Sequence, residues 1–476
     1  MSSKNIKSKC QIFTPKNYVK ELLDSVDYNK DIFSKKVLEN SCGDGNILLE
    51  VIERYIKNGK NIGKSLEEIS IGLSEHIYGF EIDSFQYNNC IKNLDALIAS
   101  YGLPKVKWNI YNQDFLKYDL NEKFDYVIGN PPYITYKEIP DSVREFIKMN
   151  FISCKKGKFD YCYAFIEKSF NLLSSSGKMS YLVPSSIFKT VFGNKLRLII
   201  KDYVSLIKDY NDNNIFDNAS IKSSILVLDR ANNSKIISFI STSKDDVITL
   251  NKSNLGEKWI FSNFLNCGSN RFGDYFKVSH TVATLLNKAF VINLNNCKNE
   301  DTYYKIGKHI IEKEIVKDTT TPKSKRYCRN EKIIFPYFYK KGKIIKIDES
   351  VLRKKFPGTF RYLKSFYNEL INRKCDKNSS WFEYGRTQAL NNLNQRKLLI
   401  STVVTNEVLV YALDQCCIPY AGLYIIPRKN RQKYSLKDAK TILESLNFLN
   451  YVKQTGIPIN GNSVRITSKD IEAYRF

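Results

Sequence analysis

The sequence predicts an α/β fold: a doubly wound, Rossmann-like sheet in the first half, followed by a mixed α+β second half. Two observations predict it. Short apolar runs typical of buried strands alternate with amphipathic helical segments through the first half of the 476 residues. Turns rich in glycine and acidic residues follow the early strands, at the edge where open parallel sheets bind ligands. We therefore expect one domain over 1–245 and a second over 246–476.

The composition indicates a polyanionic partner. The formal net charge is +25, from 74 Lys and Arg against 49 Asp and Glu. An excess of this size favours nucleic acid over a membrane surface. The alternative explanation is a coding bias that also enriches Asn, Ile and Tyr. Because no apolar run reaches about 18 residues, no membrane span is expected.

Cysteine and histidine usage argues against metal and histidine chemistry. The chain has eleven cysteines without a Cys-x-x-Cys pair, and only three histidines. Zinc sites need closely spaced ligands of these types, so no metal is expected. The odd cysteine count, and the lack of an apolar segment in residues 1–9, favour the reducing cytosol.

The first elements in the chain form a strand, a glycine turn and a helix. Thr14-Pro15 begins a short predicted helix over 17–23, since threonine caps helices and proline fits their first turn. A strand is predicted over 37–39, a glycine turn over 41–46 and a helix over 47–56. A unit of this kind cradles a nucleotide-like ligand.

The glycine turn disfavours a dinucleotide. It contains Gly43 and Gly45, but the dinucleotide fingerprint needs a third glycine where this chain has Leu48. The turn also carries one acidic side chain, Asp44. It therefore suits a positively charged ligand with an amino-acid end, such as S-adenosylmethionine.

Acidic residues follow the next two predicted strands. Glu81 follows the strand over 77–80, and Asp114 follows the strand over 106–110. An acid at the tip of a second strand typically accepts from ribose hydroxyls, and one after the third could accept from an adenine amino group. The alternative for each is a helix cap or a solvated loop residue. Their order and spacing favour the ligand site.

The fourth predicted strand, over 126–128, leads into Asn130-Pro131-Pro132-Tyr133. The prolines fix the backbone and remove two donors. The Asn130 side-chain oxygen and the Pro131 carbonyl remain as acceptors, and Tyr133 supplies a ring. These groups suit a site that holds a planar amino group by both hydrogens. The alternative is a strand-ending turn that happens to contain prolines.

The first half continues with the same alternation of strands and helices. Helices are predicted over 161–173 and 194–202. Strands are predicted over 178–183, 204–210 and 224–229, the last two as a pair.

These motifs, in this order, resemble the gamma class of N6-adenine DNA methyltransferases, the group typified by the TaqI modification enzyme. The resemblance covers about half of the chain, and its one departure is Asn40 in place of the usual proline. The matching segments are 13–15, 38–45, 79–83, 113–115, 130–133, 159–173, 177–184 and 215–216.

The resemblance implies a function and a set of site residues. Residues 1–245 would be an S-adenosylmethionine-dependent catalytic domain, without metal, that methylates an adenine flipped out of double-stranded DNA. Tyr133 and Phe216 would stack on the flipped base. The implied cofactor-binding residues are Thr14, Glu39, Gly43, Gly45, Glu81, Asp114 and Phe165, and the implied catalytic residues are Asn130, Pro131, Pro132 and Tyr133.

Residues 246–476 would be the DNA target-recognition domain. Residues 271–275 resemble its start, and 381–388 resemble one of its motifs. Strands are predicted over 333–337, 398–403 and 423–426, and a helix over 363–374. The expected DNA contacts are the basic linker with Lys323, Lys325 and Arg326, the motif residues Trp381, Arg386 and Gln388, and the basic run with Arg428, Lys429 and Arg431. An aromatic core position is the alternative for Trp381.

Two other functions are compatible with parts of the pattern. RNA and protein methyltransferases also use Asn-Pro-Pro-Tyr, although the long second half argues against them. A DNA-binding subunit without turnover is the other, and the intact Asn130, Asp114 and glycine turn argue against it. The expected partners are double-stranded DNA and, as a second candidate, a separate cognate restriction endonuclease.

Overall fold

The computed structural model describes residues 14–210, 222–242, 246–261, 268–377, 379–429, 433–459 and 462–476. The chain divides into two compact units. The first unit comprises Met1–Asn263 with Ile457–Asn462, and the second comprises Phe264–Gly456 with Ser463–Phe476. The main division therefore follows residue 263, whereas the sequence suggested residue 245.

The first unit is built on a nine-stranded sheet with the order β3-β2-β1-β4-β5-β7-β6-β8-β9. The first five strands are parallel, while β7 is antiparallel to both β5 and β6. The predicted doubly wound α/β sheet is confirmed. The strands are β1 (Val37–Glu39), β2 (Ile77–Phe80), β3 (Asn109–Tyr111), β4 (Phe124–Gly129), β5 (Leu173–Pro184), β6 (Val204–Asp209), β7 (Ser223–Asp229), β8 (Ile236–Ser241) and β9 (Asp246–Asn251).

The strand order fixes where a ligand can bind. From β1 the chain runs outward through β2 and β3, then returns to the other side of β1 with β4. This reversal opens a crevice at the carboxyl ends of β1 and β4, as in other doubly wound sheets. Glu39 ends β1, and Asn130 follows β4 directly.

Helices cover both faces of this sheet. One core contains apolar residues of α1 to α4, and the other contains apolar residues of α5 to α7. The helices are α1 (Lys16–Asp24), α2 (Asn46–Asn61), α3 (Leu66–His76), α4 (Ser84–Ser100), α5 (Asp141–Asn150), α6 (Cys162–Leu172) and α7 (Asn194–Ile200).

Local sequence explains several element boundaries. The Ser65 hydroxyl and the Glu68 carboxylate form a reciprocal capping box that begins α3. Asp83 begins α4 by accepting from two backbone N–H groups. The strand predicted over 106–110 is displaced in the structure, because sheet pairing begins only at Asn109.

The second unit has an α+β fold built on small antiparallel sheets. The largest has four strands in the order β10-β22-β19-β21. Smaller sheets join β11-β16-β15, β12-β13-β14 and β17-β18, and β20 pairs with β24. Its strands are β10 (Phe276–His280), β11 (Val291–Asn293), β12 (Lys298–Asn299), β13 (Tyr303–Ile306), β14 (His309–Glu312), β15 (Val316–Thr319), β16 (Glu331–Ile334), β17 (Tyr337–Lys340), β18 (Lys343–Lys346), β19 (Lys397–Ile400), β20 (Val403–Val404), β21 (Val410–Leu413), β22 (Leu423–Pro427) and β24 (Val464–Arg465); β23 (Ile457–Pro458) belongs to the first unit.

The helices of the second unit are short. They are α8 (Phe272–Tyr275), α9 (Asn287–Phe290), α10 (Pro322–Arg326), α11 (Glu349–Lys355), α12 (Pro357–Lys364), α13 (Tyr367–Ile371), α14 (Leu390–Leu393), α15 (Leu436–Leu443), α16 (Leu446–Thr455) and α17 (Ser468–Ala473). Among the described residues, no helix is long and apolar enough to cross a membrane.

Three expectations for the second unit were wrong. The basic segment over 323–326 is not a linker but helix α10, capped by the Thr321 side chain. The strand over 333–337 is interrupted, because Pro336 has no N–H to donate to a ladder. The helix over 363–374 is replaced by α12 and α13. The Ser365 hydroxyl donates to the Tyr362 carbonyl at this break, a local bond that competes with helix continuation.

Candidate active site

A cavity lies at the carboxyl edge of the parallel strands in the first unit. It is lined by residues from the glycine turn, the ends of β2, β3 and β4, and the start of α6. Eight of the predicted site residues line it: Thr14, Glu39, Gly43, Glu81, Asp114, Asn130, Pro132 and Phe165. The structure therefore brings most of the sequence-predicted cofactor and catalytic residues of this unit to one place.

The glycine turn owes its shape to two backbone angles that favour glycine. Gly43 has φ of 55° and Gly45 has φ of 95°, a region where other residues are strained. A Cβ atom on Gly45 would also lie 3.0 Å from the Cys90 sulfur. Gly45 is absent from the cavity lining, so it shapes the turn rather than forming the wall.

Hydrogen bonds tie the glycine turn to the end of β2. The Cys42 N–H donates to the Phe80 carbonyl at 2.9 Å. The Gly43 N–H donates to Glu81 Oε2 at 2.9 Å, and the Asp83 N–H donates to Glu81 Oε1 at 2.7 Å. Glu81 therefore holds the turn in place in addition to facing the cavity.

Three carboxylates of the cavity wall carry perturbed acidity. Burial raises the pKa of Glu39 well above its ordinary value, and it also raises the pKa of Asp44 and of Glu81. Within the described residues, Glu39 Oε2 and Asp44 Oδ1 are buried without a hydrogen-bond partner. Such atoms cost free energy unless a ligand supplies donors. The wall therefore suits a ligand that carries a cationic or hydrogen-donating group.

The other end of the cavity combines aromatic rings with a carboxylate. The Phe165 ring lies 5.3 Å from that of Tyr161 and 5.6 Å from that of Phe115, measured between centroids. Asp114 Oδ1 accepts from the Leu116 N–H at 3.0 Å, which fixes its carboxylate. Apolar walls with one acceptor suit a flat heterocycle that bears an amino group.

Two side chains orient the turn that follows β4. The Ser41 hydroxyl donates to the Asn130 carbonyl at 3.1 Å. The Asn130 amide nitrogen donates to the Thr14 hydroxyl at 3.2 Å. Thr14 thus positions Asn130 as well as lining the cavity.

The remaining residues of the tetrapeptide do not line the cavity. Pro131 is buried, and Tyr133 is half-buried with its ring against the core that contains Ile128 and Ile225. Burial raises the pKa of the Tyr133 hydroxyl well above its ordinary value. Phe216, its predicted stacking partner, lies outside the described residues.

Several residues of the cavity wall were not predicted as site residues, among them the acid Asp44 and the aromatic Tyr161. Asp44 lies between the two glycines of the turn, and Tyr161 lies four residues before Phe165. Both left a signal in the sequence. An acid inside a glycine turn can only face the ligand or solvent, and helical residues four apart share a face.

The predicted DNA-binding residues of the second unit divide into two groups by their surroundings. Arg386 and Gln388 line a cleft of about 790 Å³. Lys323, Lys325 and Arg326 are exposed on α10, and Arg326 pairs with Glu407 at 3.2 Å. Arg428 and Lys429 are exposed after β22, and Arg428 Nε donates to the Gly273 carbonyl at 2.7 Å, while Arg431 lies outside the described residues.

Trp381, one of the expected DNA contacts, is half-buried and packs against aromatic neighbours in the second unit. Its indole N–H donates to Glu349 Oε2 at 3.0 Å. Its ring meets those of Phe360, Tyr367 and Phe382 edge-on, with centroid distances between 5.2 and 5.9 Å. These contacts agree with the aromatic-core alternative, and a contact of Trp381 with DNA stays a prediction.

Known proteins similar to this chain are restriction-modification enzymes. The relatives include the Type II restriction enzyme and methyltransferase RM.Eco57I of Escherichia coli, 24% identical over 91% of this chain and 53% of that protein. Type II methyltransferase M.HincII of Haemophilus influenzae is 23% identical over 97% of this chain and 87% of that protein. M.BstVI of Geobacillus stearothermophilus is 29% identical, but over 44% of this chain and 39% of that protein. This chain thus spans about half the length of the Eco57I relative.

Solved structures show the same fold at low identity. The Type IIL restriction-modification enzyme MmeI in complex with DNA has a TM-score of 0.63 at 13% identity, covering 99% of this chain and 67% of that one. The DrdV–DNA complex has a TM-score of 0.54 at 12% identity, covering 94% and 53%. Residues 32–216 match the family model described as Eco57I restriction-modification methylase. The matched segment lies in the first unit, which is therefore similar to the methylase domain described by that family model.

Proposed function

We propose that this chain is a site-specific DNA methyltransferase that transfers a methyl group from S-adenosylmethionine to N6 of adenine in double-stranded DNA. One observation carries the proposal. Asn130 and Pro132, at the end of β4, line the same cavity as the glycine turn, Glu81 and Asp114. The residues expected to bind the methyl donor and those expected to bind the target amino group line one cavity. This arrangement supports direct transfer of the methyl group between two bound ligands.

The cavity fits S-adenosylmethionine residue by residue. Glu39 and Asp44 place buried carboxylate oxygens on the wall, where they would accept from the ligand's ammonium group. Glu81 would accept from the ribose hydroxyls, and Asp114 with Phe165 would hold the adenine ring. When bound, the cofactor supplies an electrophilic methyl group on a sulfonium.

The target amino group needs activation that this chain can supply by position alone. The nitrogen is a poor nucleophile because its lone pair is delocalised into the ring. The Asn130 side-chain oxygen would accept one of its hydrogens. The Pro131 carbonyl would accept the other and favour a pyramidal nitrogen, which requires the entering base to uncover Pro131, since this residue does not line the cavity of the ligand-free chain. The lone pair would then point at the methyl carbon for in-line transfer, without a covalent enzyme intermediate.

The target base must leave the duplex to reach this cavity, since its amino group is paired within the helix. We propose that Tyr133 stacks on one face of the flipped base and Phe216 on the other. The half-buried position of the Tyr133 ring would then require a local rearrangement when the base enters. A stacking residue next to the acceptors would keep the amino nitrogen in line.

The second unit is proposed to select the DNA site. Its exposed basic residues Lys323, Lys325 and Lys429 suit phosphates, and the net charge of +25 supports a polyanionic partner. The E. coli relative combines a restriction enzyme and a methyltransferase by name. We propose a cognate endonuclease acting on the same site as the functional partner of this chain.

Methylation-aware sequencing tests the proposal. DNA from a host without its own methylases, expressing the wild-type chain, should carry N6-methyladenine at one short motif. The same host expressing Asn130→Ala should carry little or none. Methylated cytosine, or labelling of RNA or protein but not of duplex DNA by the purified chain, would contradict the proposed substrate.

A further inference from the structure

The cleft of the second unit that holds Arg386 and Gln388 carries basic side chains. Lys277 and Arg465 line it together with Arg386. None of the described residues that line the cleft is an aspartate or glutamate. A concave surface with basic side chains and no acidic ones attracts an anionic polymer and concentrates it.

One carboxylate beside this cleft holds the two side chains that could read a base. Arg386 Nη1 donates to Asp376 Oδ1 at 2.8 Å, and Gln388 Nε2 donates to Asp376 Oδ2 at 3.0 Å. The Thr387 N–H donates to the same Oδ2 at 3.2 Å. The backbone is fixed as well, since Arg386 and Ala283 form an antiparallel bridge.

These contacts determine which groups each side chain presents. A carboxylate only accepts, so the Gln388 nitrogen must face Asp376 and the Gln388 oxygen must point elsewhere. The guanidinium of Arg386 has five N–H donors. The contacts to Asp376 and to the Gly385 carbonyl both use Nη1. Arg386 and Gln388 together therefore present the remaining guanidinium N–H donors of Arg386 beside the side-chain oxygen of Gln388 as an acceptor.

This arrangement matches one base pair better than the others. In the major groove, guanine offers two acceptors, N7 and O6, and its paired cytosine offers a donor at N4. An arginine fork binds the two guanine acceptors, and a neighbouring acceptor suits the cytosine donor. An A·T pair places a donor between two acceptors, next to a methyl group, which fits two adjacent arginine donors poorly.

We infer that Arg386 and Gln388, held in place by Asp376, read one G·C base pair of the target site in the major groove. Asp376 is a positioning residue, because it acts through the other two side chains. The inference rests on the proposed function, since it assumes that the cleft receives duplex DNA. It adds the chemical identity of one position of the recognition site.

Three substitutions test the inference, with the methylated motif as the readout. Arg386→Lys keeps the positive charge but loses the paired N–H donors of the guanidinium. If Arg386 only contacts a phosphate, lysine should keep that contact, whereas lysine should lose the two-point contact with guanine. Gln388→Ala removes the acceptor, and Asp376→Asn replaces one of the two acceptor oxygens with a donor, so that only one of the two partners keeps its hydrogen bond. Each variant should lower the preference for G·C at the same single position by about 5- to 150-fold. Preferences at the other positions should remain.

Two exposed residues outside the cleft provide matched controls. Arg396→Ala removes an arginine and Asp301→Ala removes an acid, and neither residue lines the cleft. Both controls should methylate the wild-type motif with unchanged preferences. Continued methylation of the wild-type motif by Arg386→Lys would show that this variant folds.

The outcomes separate the inference from the proposed function. If the motif methylated by the wild-type chain contains no G·C pair, the inference is wrong but the proposed function stands. The same conclusion follows if the Arg386, Gln388 and Asp376 variants all methylate the wild-type motif with unchanged preferences. Relaxation at an A·T pair, or at different positions in the Arg386 and Gln388 variants, overturns the inference as well. If the wild-type chain methylates no DNA, the proposed function falls, and the inference falls with it.

Discussion

At the residue scale, the site contains several buried acidic side chains, and their desolvation is unfavourable for the charged form. Glu39 is only 2% exposed, and burial is the main cause of its raised pKa. A carboxylate in such a position is retained for a ligand rather than for stability, because an unpaired buried charge destabilises the fold. This conclusion gives a prediction with a definite sign.

Glu39→Gln should stabilise the ligand-free protein increasingly as pH rises. The folded-state pKa of Glu39 lies above the unfolded value, so the folded state holds its proton longer and wild-type stability falls as pH rises through that window. Glutamine does not ionise, so the variant does not lose stability as pH rises through this window. Thermal unfolding of both proteins should show a melting-temperature difference that grows above about pH 4.5, near the ordinary glutamate pKa. A constant difference across pH would show that Glu39 is not desolvated.

Part of the site follows from the residues alone. Glu81, Asp114 and Asn130 were predicted because each follows a strand at the ligand-binding edge, and the structure brings them to one cavity. The DNA contact of Trp381 stays a prediction, since its half-buried ring also packs against Tyr367. Asp376 was not predicted, because the contacts of that residue with Arg386 and Gln388 depend on how the chain folds back.

At the element scale, the short parallel strands and the turns after them create the site. Short apolar runs predicted β1, β2 and β4 well, because strands buried on both faces have few alternatives. Helices α3 and α5 were not predicted. In the second unit, interruptions such as the one between α12 and α13 depend on local side-chain bonds that periodicity does not reveal.

The glycine turn offers a prediction with an internal control. Gly45→Ala and Gly63→Ala both place a side chain at positive φ, 95° and 78° respectively, which costs on the order of 1–2 kcal/mol. At Gly63 the added Cβ meets nothing within 4 Å, whereas at Gly45 it lies 3.0 Å from the Cys90 sulfur. Denaturant unfolding should therefore show a larger loss of stability for Gly45→Ala.

The same pair of variants separates stability from binding. Calorimetry should show weaker S-adenosylmethionine binding for Gly45→Ala, because the turn also carries Gly43 of the cavity wall. Gly63→Ala should bind like the wild type. Equal stability losses and equal affinities in the two variants would contradict the structural role of Gly45.

At the scale of the whole molecule, the chain combines an α/β unit with an α+β unit. The sequence indicated this division but placed the boundary at residue 245. Strand β9 extends the first unit beyond that point, whereas β8 ends just before it. Neither strand carries a motif, so only its pairing in the sheet assigns it.

The exposed lysines of α10 should bind DNA through their charge, independently of the base sequence. Replacing Lys323 and Lys325 of α10 with glutamine should weaken binding to every duplex to a similar extent. The dependence of log affinity on log salt should flatten by about 0.9 for each lost phosphate contact. Fluorescence anisotropy at several salt concentrations measures both effects.

A matched pair serves as the control for this charge prediction. Lys305 and Lys308 are exposed residues on and next to the β13–β14 hairpin. Their double replacement with glutamine should leave the salt dependence unchanged. If both double variants flatten it equally, the positive charge acts diffusely and α10 has no special role.

The central claim is tested most directly by single-turnover methyl transfer into duplex DNA, with the methylated nucleoside identified by mass spectrometry. The wild-type chain should yield N6-methyladenine. Asn130→Ala should lose at least about 100-fold in the rate of transfer, the typical effect of removing one preorganised polar contact, while its binding of S-adenosylmethionine stays intact. A wild-type rate in Asn130→Ala, or a product other than N6-methyladenine, would contradict the account.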